Sequence, residues 1–222
     1  MKKIGYAVLS AAALLGVSSA QAAENLPWTY VEAAYNSLDG DEDDEPRALA
    51  LAGSIGFLSK WHAQLEYLDG DVESDFEGQD PEFDGFRITV GAHPQITDKT
   101  QLLANIAYFD YEGDLDFDGG EGGEFDFGSD GLALGFGLRH AVSDKLELTG
   151  QVWYLDGDEF FGDDSEDQED FNDTIIEFQG RYNWTPNLST GLTASIDGSF
   201  AGVAASEADD TFRVDVRWAF GN

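Results

Sequence analysis

The sequence predicts an all-β fold, a single up-and-down antiparallel β-barrel that spans a membrane, with ten strands and eight as the alternative count. Three observations carry that reading. Apolar and polar residues alternate with period two along most of the chain, and no segment keeps a helical period. The connections alternate strictly between short turns and long loops, as in a barrel with tight turns on one side of a membrane and long loops on the other. The face opposite the apolar one is small as well as polar, as in Ala48, Ala50, Ala52, Ser54 and Gly56, or Ala133, Gly135 and Gly137. Water-facing strands seldom use Gly and Ala so heavily, whereas a narrow lumen needs them to admit neighbouring side chains. A soluble β-sandwich shares only the first of these features.

The first element is a leader. Lys2 and Lys3 precede an apolar stretch over 4–17, too short to span a bilayer, and Ala20-Gln21-Ala22 fits the small-x-small cleavage rule. This predicts a signal peptide over 1–22, a barrel domain over 23–222, and export across the inner membrane of a Gram-negative bacterium.

Strands follow near 28–36, 47–58, 60–68, 85–95, 100–111, 131–142, 145–155, 174–184, 188–197 and 211–220. Trp28, Tyr35, Trp61, Tyr67, Tyr154, Trp184 and Trp218 lie near strand ends, where membrane-interface girdles form. The second and sixth strands carry the small inward face. In the fourth, Phe86, Ile88, Val90 and Ala92 oppose Arg87, Thr89, Gly91 and His93. The fifth is apolar on both faces, which leaves its register open. In the seventh, Leu146, Leu148, Val152 and Tyr154 oppose Glu147, Thr149, Gln151 and Trp153. In the eighth, Ile176, Phe178, Tyr182 and Trp184 oppose Glu177, Gln179, Arg181 and Asn183. The last is the clearest, with Phe212, Val214, Val216, Trp218 and Phe220 on one face and Arg213, Asp215 and Arg217 on the other. Short turns fall at Ser59-Lys60, Thr97-Asp98-Lys99, Ser143-Asp144-Lys145 and Thr185-Pro186-Asn187, and long loops at 37–46, 69–84, 110–130, 156–173 and 197–210. Each long loop opens near an acid–glycine pair (Asp39-Gly40, Asp69-Gly70, Glu112-Gly113, Asp156-Gly157, Asp197-Gly198), read as glycine where the chain leaves the ladder.

The 222 residues include 11 Lys and Arg against 45 Asp and Glu, for a net charge of −34. That charge repels nucleic acid. A content of 13% aromatic and 42% hydrophobic residues excludes a self-solvating disordered chain. The absence of cysteine excludes disulfides and thiolate metal sites. Of the 45 acids, 37 fall in the five long loops, so the charge excess belongs to one end of the barrel. On the inward faces Arg87, Arg139, Arg181, Arg213 and Arg217 meet Glu32, Glu66, Glu147, Glu177 and Asp215. The matched sets predict a lumen crossed by ion pairs rather than a wide aqueous pore, since barrels of about eight strands are filled by side chains and those of about sixteen are open.

In Tyr30-Val31-Glu32 opening the first strand, the repeated Leu-Asp-Gly-Asp at 38–41, 68–71 and 155–158, and the closing strand 211–220, the chain resembles the small OmpA-like and OmpX-like outer-membrane β-barrel proteins of Gram-negative bacteria. The resemblance implies an outer-membrane location, and the expected state is a monomer with outer-membrane lipid and lipopolysaccharide as partners. It also implies that the barrel-assembly machinery reads Trp218 and Phe220 on the final strand.

Asp114, Asp116 and Asp118, followed by Gly119, imitate the start of a calcium loop, but Phe125 stands where a bidentate Glu is needed and no helices flank the segment. The expectation is no cofactor, with loose Ca2+ or Mg2+ association at the acidic loops, by the protein alone or bridging to lipopolysaccharide. His62, His93 and His140 all lie beside short turns, far from the acidic loops, and no Gly-x-Ser-x-Gly, His-Glu-x-x-His or phosphate-binding glycine loop is present. No catalytic residue is assigned. His62 and His93, inward on adjacent strands, read as polar lumen filler, with a metal or proton site as the alternative. The expected function is a non-enzymatic envelope barrel serving surface properties, adhesion or membrane integrity. A narrow, cation-preferring porin is the alternative, and an outer-membrane enzyme is third.

Overall fold

A computed structural model describes residues 27–39, 45–73, 82–116, 124–161, 168–196 and 210–220. The leader over 1–22 lies outside the described residues, as do Gly40, Asp118 and Gly198. The strands are β1 (Tyr30–Asp39), β2 (Glu45–Phe57), β3 (Trp61–Glu73), β4 (Glu82–Ala92), β5 (Gln95–Thr97), β6 (Thr100–Asp116), β7 (Glu124–Ala141), β8 (Leu146–Phe161), β9 (Gln168–Asn183), β10 (Leu188–Ile196) and β11 (Asp210–Ala219). Neighbours pair antiparallel, β1 pairs with β11 from Tyr30↔Ala219 to Asp39↔Asp210, and β4 pairs with β6, so the sheet closes on itself. Ten strands make the wall. β5 continues β4 past His93 and Pro94 and pairs with β6 through a register shift.

Side-chain alternation sorts lipid from lumen. Leu49, Ile106, Leu132, Phe136, Phe178, Phe212 and Val214 point outward and are exposed, forming an apolar belt, while the alternate residues are buried inside. Residues 100–111, whose register was open, place Gln101, Leu103, Asn105, Ala107, Phe109 and Tyr111 inward and Leu102, Ile106 and Tyr108 outward. In five wall strands the outward face turns from apolar to acidic within one step: Tyr67 to Asp69, Phe86 to Asp84, Tyr108 to Asp110, Leu132 to Asp130 and Tyr154 to Asp156. That line marks the edge of the membrane-spanning wall.

The ladder continues past it. β6, β7, β8 and β9 have 17, 18, 16 and 16 residues, whereas about 9–11 suffice to cross a bilayer. The loops expected at 110–130 and 156–173 are therefore mostly hairpin and that at 69–84 is half so, with strand to Glu73 and from Glu82, to Asp116 and from Glu124, and to Phe161 and from Gln168. In β3, β4 and β6 alternation persists there, with Asp69, Asp71, Asp84, Glu112 and Asp114 outward and Gly70, Phe83, Gly85, Tyr111 and Gly113 inward. An acid-rich composition disguises that period as loop.

The acid–glycine pairs likewise have a different purpose. Gly70, Gly113 and Gly157 lie inside strands, facing the lumen. A Cβ at Gly70 would meet the Phe83 ring at 2.5 Å and one at Gly131 would meet the Phe109 ring at 2.9 Å, while Gly85 and Gly113 lie under Tyr111 and Phe127. These glycines seat aromatic rings across the ladder instead of ending it. At the short-turn end, the turn expected at Ser59-Lys60 spans 58–60, with Leu58 and Ser59 at φ 49° and 57°.

Candidate functional site: a lumen in three layers

The short-turn end is floored by aromatic rings. Residues 27–29 precede β1 and turn into the mouth of the barrel, where the Trp28 indole packs on His62 (centroids 4.1 Å, 23° between planes) and His93 (4.3 Å, 14°). Trp28 therefore does not join the outer girdle, as its place near a strand end suggested. The outward positions of Trp61, Tyr154, Trp184 and Trp218 do fit a girdle. Trp28 Nε1 donates to Gln101 Oε1 at 3.3 Å, and the Arg139 guanidinium lies 5.0 Å from the indole centroid. Ser54 Oγ donates to the Trp28 carbonyl at 2.8 Å, and Gly56 N–H donates to Thr29 Oγ1 at 3.1 Å. The two imidazole centroids are 5.6 Å apart; His62 Nδ1 is buried without a partner, and the His93 ring meets the backbone of Trp61 and its own backbone. His140 faces outward, with Nδ1 2.9 Å from Thr100 Oγ1.

Above the floor lies a connected layer of charge that brings together the inward acids and bases. Glu32 on β1 is its hub. It accepts from Arg217 at 2.7 Å and Arg213 at 2.9 Å, both on β11, and from Arg181 on β9 at 3.0 Å. Arg181 also pairs with Asp215 at 2.7 Å. Glu66 on β3 accepts from Arg213 at 2.7 Å and from Arg87 on β4 at 2.9 Å. Arg139 on β7 bonds Glu147 on β8 at 2.6 Å through Nη2, and Asn183 Nδ2 donates to the other Glu147 oxygen at 2.9 Å. Glu177 takes part through Trp153, whose Nε1 donates to it at 2.7 Å. The Arg217 guanidinium also lies 3.7 Å from the Tyr30 ring centroid. The carboxylates of Glu32, Glu66, Glu147 and Asp215 each accept more than one bond or share a neighbour's cation, which is how charges removed from water remain tolerable. A cavity of about 140 Å³ remains within this layer, bounded by Trp28, His62, Arg87, Gln151, Trp153 and Glu177.

The third layer, toward the long hairpins, is apolar and was not foreseen. Phe83, Phe109, Tyr111, Phe127, Trp153, Leu155 and Ile175 form one buried cluster inside the barrel, with Phe171 against it. Phe109 is 0% exposed, stacking near Tyr111 (6.1 Å, 24°) and against Phe171 (6.3 Å, 55°). Such ring pairs add about 0.5–1.5 kcal/mol each beyond the area they bury. The expected charge-paired lumen is thus only its middle storey, with rings below and above.

Outside, the acids stand in cross-strand rows. Asp110, Asp130, Asp158 and Asp170 face one another in sequence across β6, β7, β8 and β9. Asp114 and Asp116, two of the three calcium-loop candidates, lie in β6 opposite Asp126 and Glu124. An extended strand does not curl around an ion as a calcium loop does, and Asp118 lies outside the described residues. Asp158 is held above the usual carboxylate range by its hydrogen bond with Asp170, by some desolvation, and by the charges of Asp170, Asp130 and Asp156. A raised acid marks repulsion that is present above the folded-state pKa and released as pH falls through it. Asp158→Asn is therefore expected to raise the unfolding temperature near neutral pH, with the gain fading in acid. Unfolding curves at the two pH values check this, and an equal gain at both would contradict it.

A family model described as "Outer membrane protein beta-barrel domain" matches residues 9–173. Among solved structures, the translocator domain of the autotransporter NalP from Neisseria meningitidis is similar, with 10% identity, a TM-score of 0.51, and coverage of 99% of this chain and 95% of that one. The NanC porin matches at 10% identity and TM-score 0.49, covering 86% of this chain and 100% of that one. An outer membrane channel from Pseudomonas putida F1 matches at 11% and 0.47, covering 92% and 100%. At such identities the likeness is one of fold. No curated protein matches the chain in sequence.

Proposed function

The chain belongs to the outer-membrane β-barrel family, and from that premise we propose that it is a sealed, non-enzymatic barrel of the Gram-negative outer membrane. Its work is done by the acidic outward rim, not by passage through the lumen. The single observation that carries this is the apolar cluster around Phe109 and Phe127, stacked above the ion-pair layer centred on Glu32. A constriction lined by rings sheds water, and an ion cannot cross it without losing its hydration. On this reading the protein acts as a monomer, the surrounding lipid and lipopolysaccharide are its partners, and Trp218 and Phe220 serve the barrel-assembly machinery. The carboxylate rows above the apolar belt face the headgroup region, where Ca2+ or Mg2+ would relieve their repulsion of anionic lipid.

A narrow cation-preferring pore is the second reading, favoured by the cavity inside the charged layer and by the acidic rim. Planar-bilayer recording of the purified protein separates the two. The sealed barrel is expected to give no steady current in salt, with or without calcium. A steady cation-selective current from the unaltered chain would hand the conclusion to the pore.

A further inference from the structure

We propose that Trp28 is an acid-sensitive stopper: protonation of His62 and His93 drives the 27–29 segment out of the short-turn mouth and opens the internal cavity to the periplasm. Both imidazoles lie against one face of the indole. Rings on opposite faces would be two stacking heights apart, more than the observed 5.6 Å, so the two lie side by side with their edges toward each other. Protonating both would put one positive charge beside another in a space where His62 Nδ1 finds no partner and the His93 ring has only the backbone of Trp61 and its own backbone to turn to.

The surrounding charges give no relief. From β7, Arg139 already lies over the indole, and from β11, Arg217 borders the same cavity. The carboxylates at this level are committed, Glu147 on β8 to Arg139 and Asn183, and Glu32 on β1 to Arg181, Arg213 and Arg217. Tyr30 on β1 is covered by the Arg217 guanidinium. β2 offers the neutral Ser54 and Gly56, and β6 the neutral Gln101 and Asn105. One imidazolium on an indole gains a cation–π contact. A second beside it, with Arg139 on the same indole, meets like charge from both.

The segment can move without opening the wall. It is fixed by the Ser54, Gly56 and Gln101 bonds and by Phe220 N–H donating to the Thr29 carbonyl at 2.8 Å, whereas the wall closes independently through β1 and β11. A reagent reaching the cavity reports entry from below only while the upper cluster closes the lumen, so the inference rests on the sealed-barrel reading. Conductance tests the upper cluster, and access from below tests the stopper.

The chain has no cysteine, so one introduced thiol reports cleanly. Gln64→Cys places it on the cavity wall, Thr89→Cys is a second wall position, and Asp98→Cys in the exposed turn is the control. The measurement is the reaction rate with a small methanethiosulfonate cation on folded protein, divided by the control rate at the same pH. Folding is confirmed by heat-modifiable gel mobility. The ratio is expected to rise about tenfold or more between about pH 7.5 and about pH 5. His62→Gln/His93→Gln should keep it low at both pH values, and Trp28→Ala should make it high at both. An unchanged ratio in the parent, or the same rise in the double variant, would overturn the stopper.

Discussion

Glu32→Gln is expected to cost the folded barrel about 3 kcal/mol or more, the penalty for breaking a buried ion pair and stranding its partner. One carboxylate, with its side chain 3% exposed, accepts from Arg181, Arg213 and Arg217. Glutamine keeps the shape and removes the charge, so three guanidiniums lose their common counter-ion. Arg181 retains Asp215 and Arg213 retains Glu66, which limits the loss. Arg217 is left with the Tyr30 face. The burden should therefore fall on Arg217, and adding Arg217→Gln to Glu32→Gln should restore part of the stability. Denaturant unfolding in lipid vesicles measures both. A loss below about 1 kcal/mol, the range of exposed ion pairs, would show that this layer is wet and well screened.

Phe109→Ala combined with Phe127→Ala should turn a silent barrel into a conducting one. Each truncation of a buried ring also costs about 3–5 kcal/mol through lost contacts and the cavity left behind. Phe109 seats over Gly131 and Phe127 over Gly113, so neither backbone can move in to fill the gap. The new void would join the cavity in the charged layer, and the acidic rim should make the resulting current prefer cations. Heat-modifiable mobility identifies the folded fraction to record from. If folded double variant stays silent, the ion-pair layer is itself a sufficient seal, and the apolar cluster is demoted to packing.

Much of this architecture was legible in the sequence because period two is a local property. Phe212 to Phe220 against Arg213 to Arg217 needs no partner strand to show which face meets lipid. The ten inward charges could be selected in the same way, since each lies in an alternating strand. Two things were hidden. The aromatic cluster lies in the segments richest in acid, where Asp84-Gly85, Asp130-Gly131 and Asp156-Gly157 look like turns. A signal was available: Phe83, Tyr111 and Phe127 are in phase with the inward face of their strands. The floor was hidden for another reason. Trp28 sits beside a strand end, and sequence cannot distinguish an indole turned outward to lipid headgroups from one turned inward onto two imidazoles.

The sequence by itself determined that this protein is an all-β membrane barrel with its negative charge gathered in the segments at one end. Strand periodicity and turn chemistry are written in consecutive residues, and each acts over a few positions. Only the tertiary structure decided what fills the lumen. Arg181 reaches Glu32 across 149 positions and Arg217 reaches it across 185, and Trp28 meets Gln101 across 73. Those meetings depend on the register and closure of the whole sheet. A shift of one residue would turn every one of these side chains to the lipid.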